Sequence, residues 1–109
     1  MGENKNRNMQ TLMIVARDSM VNELEKLLQD SGVNAYSRLN KVEGKGKTGK
    51  VHESYQHPGF NLMILAVLPS DQVAIVVRTF RTYLAARVKA AQGEAIPLKV
   101  FSFPCEELI

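Results

Sequence analysis

Nine residues, Val42-Glu43-Gly44-Lys45-Gly46-Lys47-Thr48-Gly49-Lys50, hold three glycines and three lysines. Glycine lets the backbone turn through positive φ and bring its N–H groups close to a ligand. Lysine adds a point charge suited to phosphate or carboxylate. Lys41, Lys45, Lys47 and Lys50 set against Glu43 give a local excess of +3, equal to the formal net charge of the whole 109-residue chain. The anionic preference is therefore local, and it suits a small ligand or an acidic partner surface rather than nucleic acid in general. A solvated hairpin tip is the plain alternative for such a stretch.

Gly46-Lys47-Thr48 matches the end of a phosphate-binding P-loop, but the pattern needs a glycine where Lys41 stands. It also needs a helix directly after the threonine, so that the helix N-terminus faces the phosphates. Gly49, Pro58 and Gly59 keep this segment irregular instead. The P-loop reading fails. His52 and His57 are candidate metal ligands, with Glu53 or Cys105 as a third. Their spacing puts them on opposite sides of a strand and on poorly matched faces of a helix, although a bent loop would let them meet. Cys105 follows Pro104 with no histidine or helix N-terminus nearby in sequence to activate its thiol. No Ser–His–Asp set, carboxylate pair or Cys–His ligand pair assembles, so the chain does not read as an enzyme.

The elements that must carry this loop follow from periodicity. The opening Met1 to Asn8 has no apolar core; residues 1–9 read as a disordered tail, leaving residues 10–109 as one domain. With one cysteine no internal disulfide is possible, which suits a reducing, cytoplasmic setting. The longest apolar run, Leu62 to Leu68, is too short to cross a bilayer, so no membrane insertion is expected. Thr11 to Ala16 predicts a strand, followed by a helix with Asp18 and Ser19 as cap oxygens and Gly32 as its left-handed terminator. Val33 to Val42 predicts a second strand and Phe60 to Leu68 a third. Ser70 is placed to cap a second helix, which Gln92-Gly93-Glu94 ends, and Leu98 to Phe103 predicts the last strand.

The order βαββαβ gives a ferredoxin-like α+β fold: a four-stranded antiparallel sheet with both helices on one face. The uncovered face should then be polar in a monomer. Yet in the third strand Leu62, Ile64, Ala66 and Leu68 alternate with Met63, Leu65 and Val67, so both faces are apolar. Self-association is the economical explanation. An RNA-recognition reading of the same fold needs aromatic residues on the central strands, and only Phe60 stands near one of them.

Several stretches are similar to the PII signalling superfamily of trimeric nitrogen- and carbon-status sensors. Lys41-Val42-Glu43-Gly44-Lys45-Gly46-Lys47 resembles the Glu-Val-Lys-Gly-Phe-Gly-Arg opening of the PII T-loop, and Glu53-Ser54-Tyr55 its Glu-Leu-Tyr. Leu68-Pro69-Ser70-Asp71 resembles Val-Pro-Asp-Asp before the second helix, and Lys99-Val100-Phe101 the Lys-Ile-Phe of the last long strand. The resemblance implies a homotrimer with inward-facing sheets and ligand clefts between subunits, for an adenine nucleotide (AMP, ADP or ATP) or another small anion. Gly44, Gly46, Lys47, Thr48, Lys50 and Lys99 become its candidate contacts, with no cofactor required. It implies no catalysis. The 43–59 loop would signal to a protein partner, a transporter or an enzyme.

The family's Thr-Gly-x-x-Gly-Asp-Gly-Lys phosphate loop is absent; Lys89 to Glu94 occupies that region. Thr48 replaces a ligand-holding glutamine, and Ser102-Phe103-Pro104-Cys105 lacks the phosphate-contacting arginines. The chain is thus identified as a divergent, PII-like member. The alternative is a trimeric divalent-metal-binding protein of the CutA type, which shares the fold and would use His52, His57 and Cys105. A structural module whose loop is a recognition tip is a third reading.

Overall fold

A computed structural model describes residues 8–42, 61–93 and 96–109. Strand β1 (Met9–Ala16) leads through a 3-10 turn (Asp18–Met20) into helix α1 (Val21–Asp30). Strands β2 (Ser37–Asn40) and β3 (Leu62–Pro69), helix α2 (Ser70–Ala90) and strand β4 (Leu98–Cys105) follow. The strands form one sheet in the order β2-β3-β1-β4, with every neighbouring pair antiparallel. This is the ferredoxin-like α+β arrangement.

The period-2 alternation of β1 and β3 divides the sheet. Leu12, Ile14 and Ala16 with Leu62, Ile64, Ala66 and Leu68 form one buried layer against Leu24 and Leu28 of α1 and Val73, Val76 and Phe80 of α2. Each large aliphatic side chain buried there contributes about 1.5–3 kcal/mol. The opposite face carries Met13, Met63, Leu65 and Val67, joined by Leu39 of β2 and Phe101 and Phe103 of β4 through the strand register. Val67, Leu39, Phe101 and Phe103 are between 42% and 50% exposed. The sheet is apolar on both faces.

Several local details depart from the sequence reading. β1 starts at Met9, two residues early. β2 is only four residues long, Ser37–Asn40, and Val33 belongs to the end of α1. Its N–H bonds the Leu28 carbonyl at 2.8 Å while Gly32, at φ +82°, bonds that of Gln29. The Val33 backbone donor is thus committed to the helix and cannot join a sheet ladder.

Asp18 and Ser19 do not cap α1. The 3-10 turn intervenes, and the residue preceding each element makes no side-chain capping bond. Ser70 does not cap α2 either: its hydroxyl donates to the Asn8 carbonyl (3.2 Å) and accepts from Gln10 (3.3 Å), tying the helix start to β1. α2 ends as expected around Gln92-Gly93, but Gln92 itself takes a left-handed conformation at φ 58°. Among the described residues no helix is long and apolar enough to cross a membrane.

Candidate functional site

The strand register gathers the candidate groups at one end of the sheet. Asn40, Leu62, Ala16 and Leu98 stand in one row across it, and Leu39, Met63, Val15 and Lys99 in the next. The glycine–lysine stretch connects β2 to β3 at that end, and the chain enters β4 there after α2. Gly44, Gly46, Lys47, Thr48, Lys50, His52 and His57 lie outside the described residues. Lys99 is described, and it is exposed on the open sheet face beside Val15.

Polar contacts fix the stem of the loop. Val42 donates its N–H to the Asn61 carbonyl, and Asn61 donates to that of Ala16, both at 3.0 Å. The Asn61 side-chain oxygen accepts the Asp18 N–H at 2.7 Å. One residue, through its backbone and its side chain, thereby joins the loop exit, the end of β1 and the turn into α1. Asp18 Oδ1 beside it is buried without a hydrogen-bond partner among the described residues. An acceptor with no donor suits a hydroxyl or amine and repels a phosphate. Asn61 escaped the sequence reading, which took Asp18 only as a helix cap; an Asn before a strand is an ordinary turn residue.

On the other side of the stem, Glu25 of α1 accepts hydrogen bonds from the Tyr36 hydroxyl and from Arg38, both at 2.9 Å. Tyr36 and Arg38 share the helix side of the β2 segment, so this cluster pins an otherwise exposed edge strand to α1. Burial, reinforced by the bonded Glu25 carboxylate, raises the Tyr36 pKa above its ordinary value. A matching pair holds α2 to α1: Arg87 donates to Glu23 at 2.7 Å and lies over the Tyr83 ring, 5.7 Å from its centroid. Burial and then Glu23 raise the Tyr83 pKa as well.

Residues 89–93, at the position of the PII superfamily's phosphate loop, finish a helix. Lys89 is helical, and Ala91 and Gln92 bond back to Arg87 and Lys89 at 2.9 and 3.1 Å, with Gly93 bonding Val88 at 2.8 Å. A helix C-terminus presents carbonyl oxygens and the negative end of the dipole. Anion binding near it would depend on lysine side chains, not on backbone N–H groups. For the metal reading, Cys105 is half-buried at the far end of β4, paired with Met9. No group of three or more His, Cys, Asp or Glu residues suited to a metal occurs among the described residues.

The sequence model of the nitrogen regulatory protein P-II family matches residues 9–109. Among curated proteins none matches the chain. Solved structures of similar fold include the B. subtilis GlnK–ATP complex, with TM-score 0.62 and 23% identity over 90% of this chain and 82% of that one. Arabidopsis thaliana PII bound to citrate has TM-score 0.62 and 19% identity over 92% of this chain and 79% of its own. CPII, a PII-like protein of Thiomonas intermedia bound to ADP, AMP and bicarbonate, has TM-score 0.57 and 18% identity over 90% and 94%.

Proposed function

Because this chain belongs to the nitrogen regulatory protein P-II family, we propose that it is a non-enzymatic, trimeric regulator that binds an adenine nucleotide or small anion between subunits. Binding orders the 43–59 loop and changes its docking to a protein partner, a transporter or an enzyme. The observation that carries this reading is the placement of Lys99 relative to the loop stem. They share one end of the sheet but occupy its opposite edges, β4 and β2. Three strand spacings separate those edges, about 14 Å. A site using both is most directly closed by β4 of one copy and the loop of another. The apolar open face, with Leu39, Val67, Phe101 and Phe103 exposed, supplies the surface for that association.

Calorimetric titration with ATP, ADP, AMP, bicarbonate and divalent zinc or copper tests the proposal. Lys47→Ala and Lys99→Ala should each weaken nucleotide binding by about 1.5–3 kcal/mol, roughly ten- to a hundredfold. Lys5→Ala, His52→Ala and His57→Ala should leave it unchanged. Metal binding that the histidine variants abolish, with no nucleotide bound by the parent chain, would overturn the reading in favour of the CutA type.

A further inference from the structure

α2 and β4 leave a cleft of about 370 Å³ on the helix side of the sheet. Its walls include Val77, Phe80 and Leu84 from α2 and Leu98 and Val100 from β4, and Arg81 is its one charged lining residue. Arg81 is exposed and has no ion-pair partner among the described residues. The outer edge of β4 beside the cleft pairs with no other described strand. Beyond β4, Glu106-Glu107-Leu108-Ile109 leaves the sheet with both apolar side chains in solvent; Leu108 is 83% exposed and Ile109 fully so.

We propose that the α2–β4 cleft receives the Glu106–Ile109 segment of a second copy. Two unpartnered features then complement each other in polarity. Side chains of an extended segment alternate, so Glu106 and Leu108 share a face. Leu108 enters the apolar walls while the Glu106 carboxylate meets the Arg81 guanidinium, and the segment runs along the free edge of β4. The chain's own segment cannot serve this way. A tight return after Cys105 with Glu106 and Glu107 in the turn sets Leu108 beside Cys105 and Ile109 beside Pro104, short of Val100. The proposal needs self-association, which the trimeric reading supplies, but uses a surface separate from the open sheet face.

The test replaces Leu108 with the photo-crosslinker benzoylphenylalanine in the full chain, using a mixture of isotopically light and heavy copies. Mass spectrometry should find mixed-isotope cross-links to residues 77–84 or to Leu98, Val100 or Ser102. Arg81→Glu should lower their yield severalfold, and adding Glu106→Arg should restore it. Cross-links confined to one chain, cross-links to the open sheet face or an unchanged yield in Arg81→Glu would each overturn the proposal. Sedimentation of the parent chain separates the two readings. A monomer sinks both, whereas an oligomer without mixed-isotope cross-links sinks only this one.

Discussion

Ile64 and Leu65 are neighbours in sequence on opposite faces of β3, and a lysine at each should have opposite consequences. Ile64 is fully buried between the sheet and both helices. Ile64→Lys forfeits about 1.5–3 kcal/mol of apolar burial and puts an ammonium where its desolvation costs several kcal/mol more. The sum is comparable with the whole stability of a chain of 109 residues, roughly 5–15 kcal/mol. Leu65 lies half-buried on the open face opposite Ser37 and Met13. A lysine there lays its stem on the sheet and keeps its charge in water, so Leu65→Lys should cost the isolated subunit about 1 kcal/mol or less. In a trimer with inward-facing sheets it places one charge from each subunit in an apolar interface, which is strongly disfavoured. Circular dichroism should show Ile64→Lys unfolded and Leu65→Lys native in secondary structure. Sedimentation equilibrium at micromolar concentration should show the parent as a trimer and Leu65→Lys as a monomer. A parent monomer, or a Leu65→Lys chain that unfolds or stays fully associated, would refute the assignment of that face.

Three further outcomes follow from local geometry. Left-handed backbone at a non-glycine residue costs on the order of 1–3 kcal/mol, and glycine's freer unfolded state takes back roughly 0.4–1 of that. Gln92→Gly, at φ 58°, should therefore stabilise by about 1 kcal/mol, whereas Gly32→Ala, at φ +82° with Gln72 Nε2 3.4 Å from the new methyl, should destabilise; urea denaturation reads both. Glu25→Gln should cost no more than about 1 kcal/mol, since its pair with Arg38 is partly exposed, yet it should speed amide exchange across residues 36–40. Raised pKa values mean that the fold favours neutral Tyr36 and Tyr83. Their contribution is intact below about pH 10 and is lost as pH rises through the folded values. Phenolate absorbance in Tyr36→Phe and Tyr83→Phe should each lack a late-titrating component.

Element order, sheet topology and the doubly apolar β3 were legible because they depend on periodicity, which is local. The ends of elements were less so. Ser70 has every attribute of a helix cap, yet Asn8 and Gln10 claim its hydroxyl from β1, a competition invisible to a reading of the helix alone. Val33 looks like strand and terminates a helix, because its N–H is worth more to the last turn of α1 than to a distant ladder. The Glu25–Tyr36–Arg38 cluster joins residues that no motif links, and only the fold shows that they hold the loop stem.

The candidate site stands out in the sequence by composition alone, and the sheet order shows why no spacing pattern marks it. Sequence spacing reports on neighbours along one strand or helix, while Lys99 and the loop stem stand on the two outer strands of the sheet. In the proposed assembly the two edges meet where one copy abuts the next. A constellation divided in the proposed way leaves no spacing pattern along one chain. The same logic fixes which residues should respond to dissociation. Freeing the subunit removes the loop that the proposed assembly sets opposite Lys99. Leu65→Lys should then abolish anion binding without altering any proposed contact residue. Retention of parental affinity by that monomer would place the whole site within one chain.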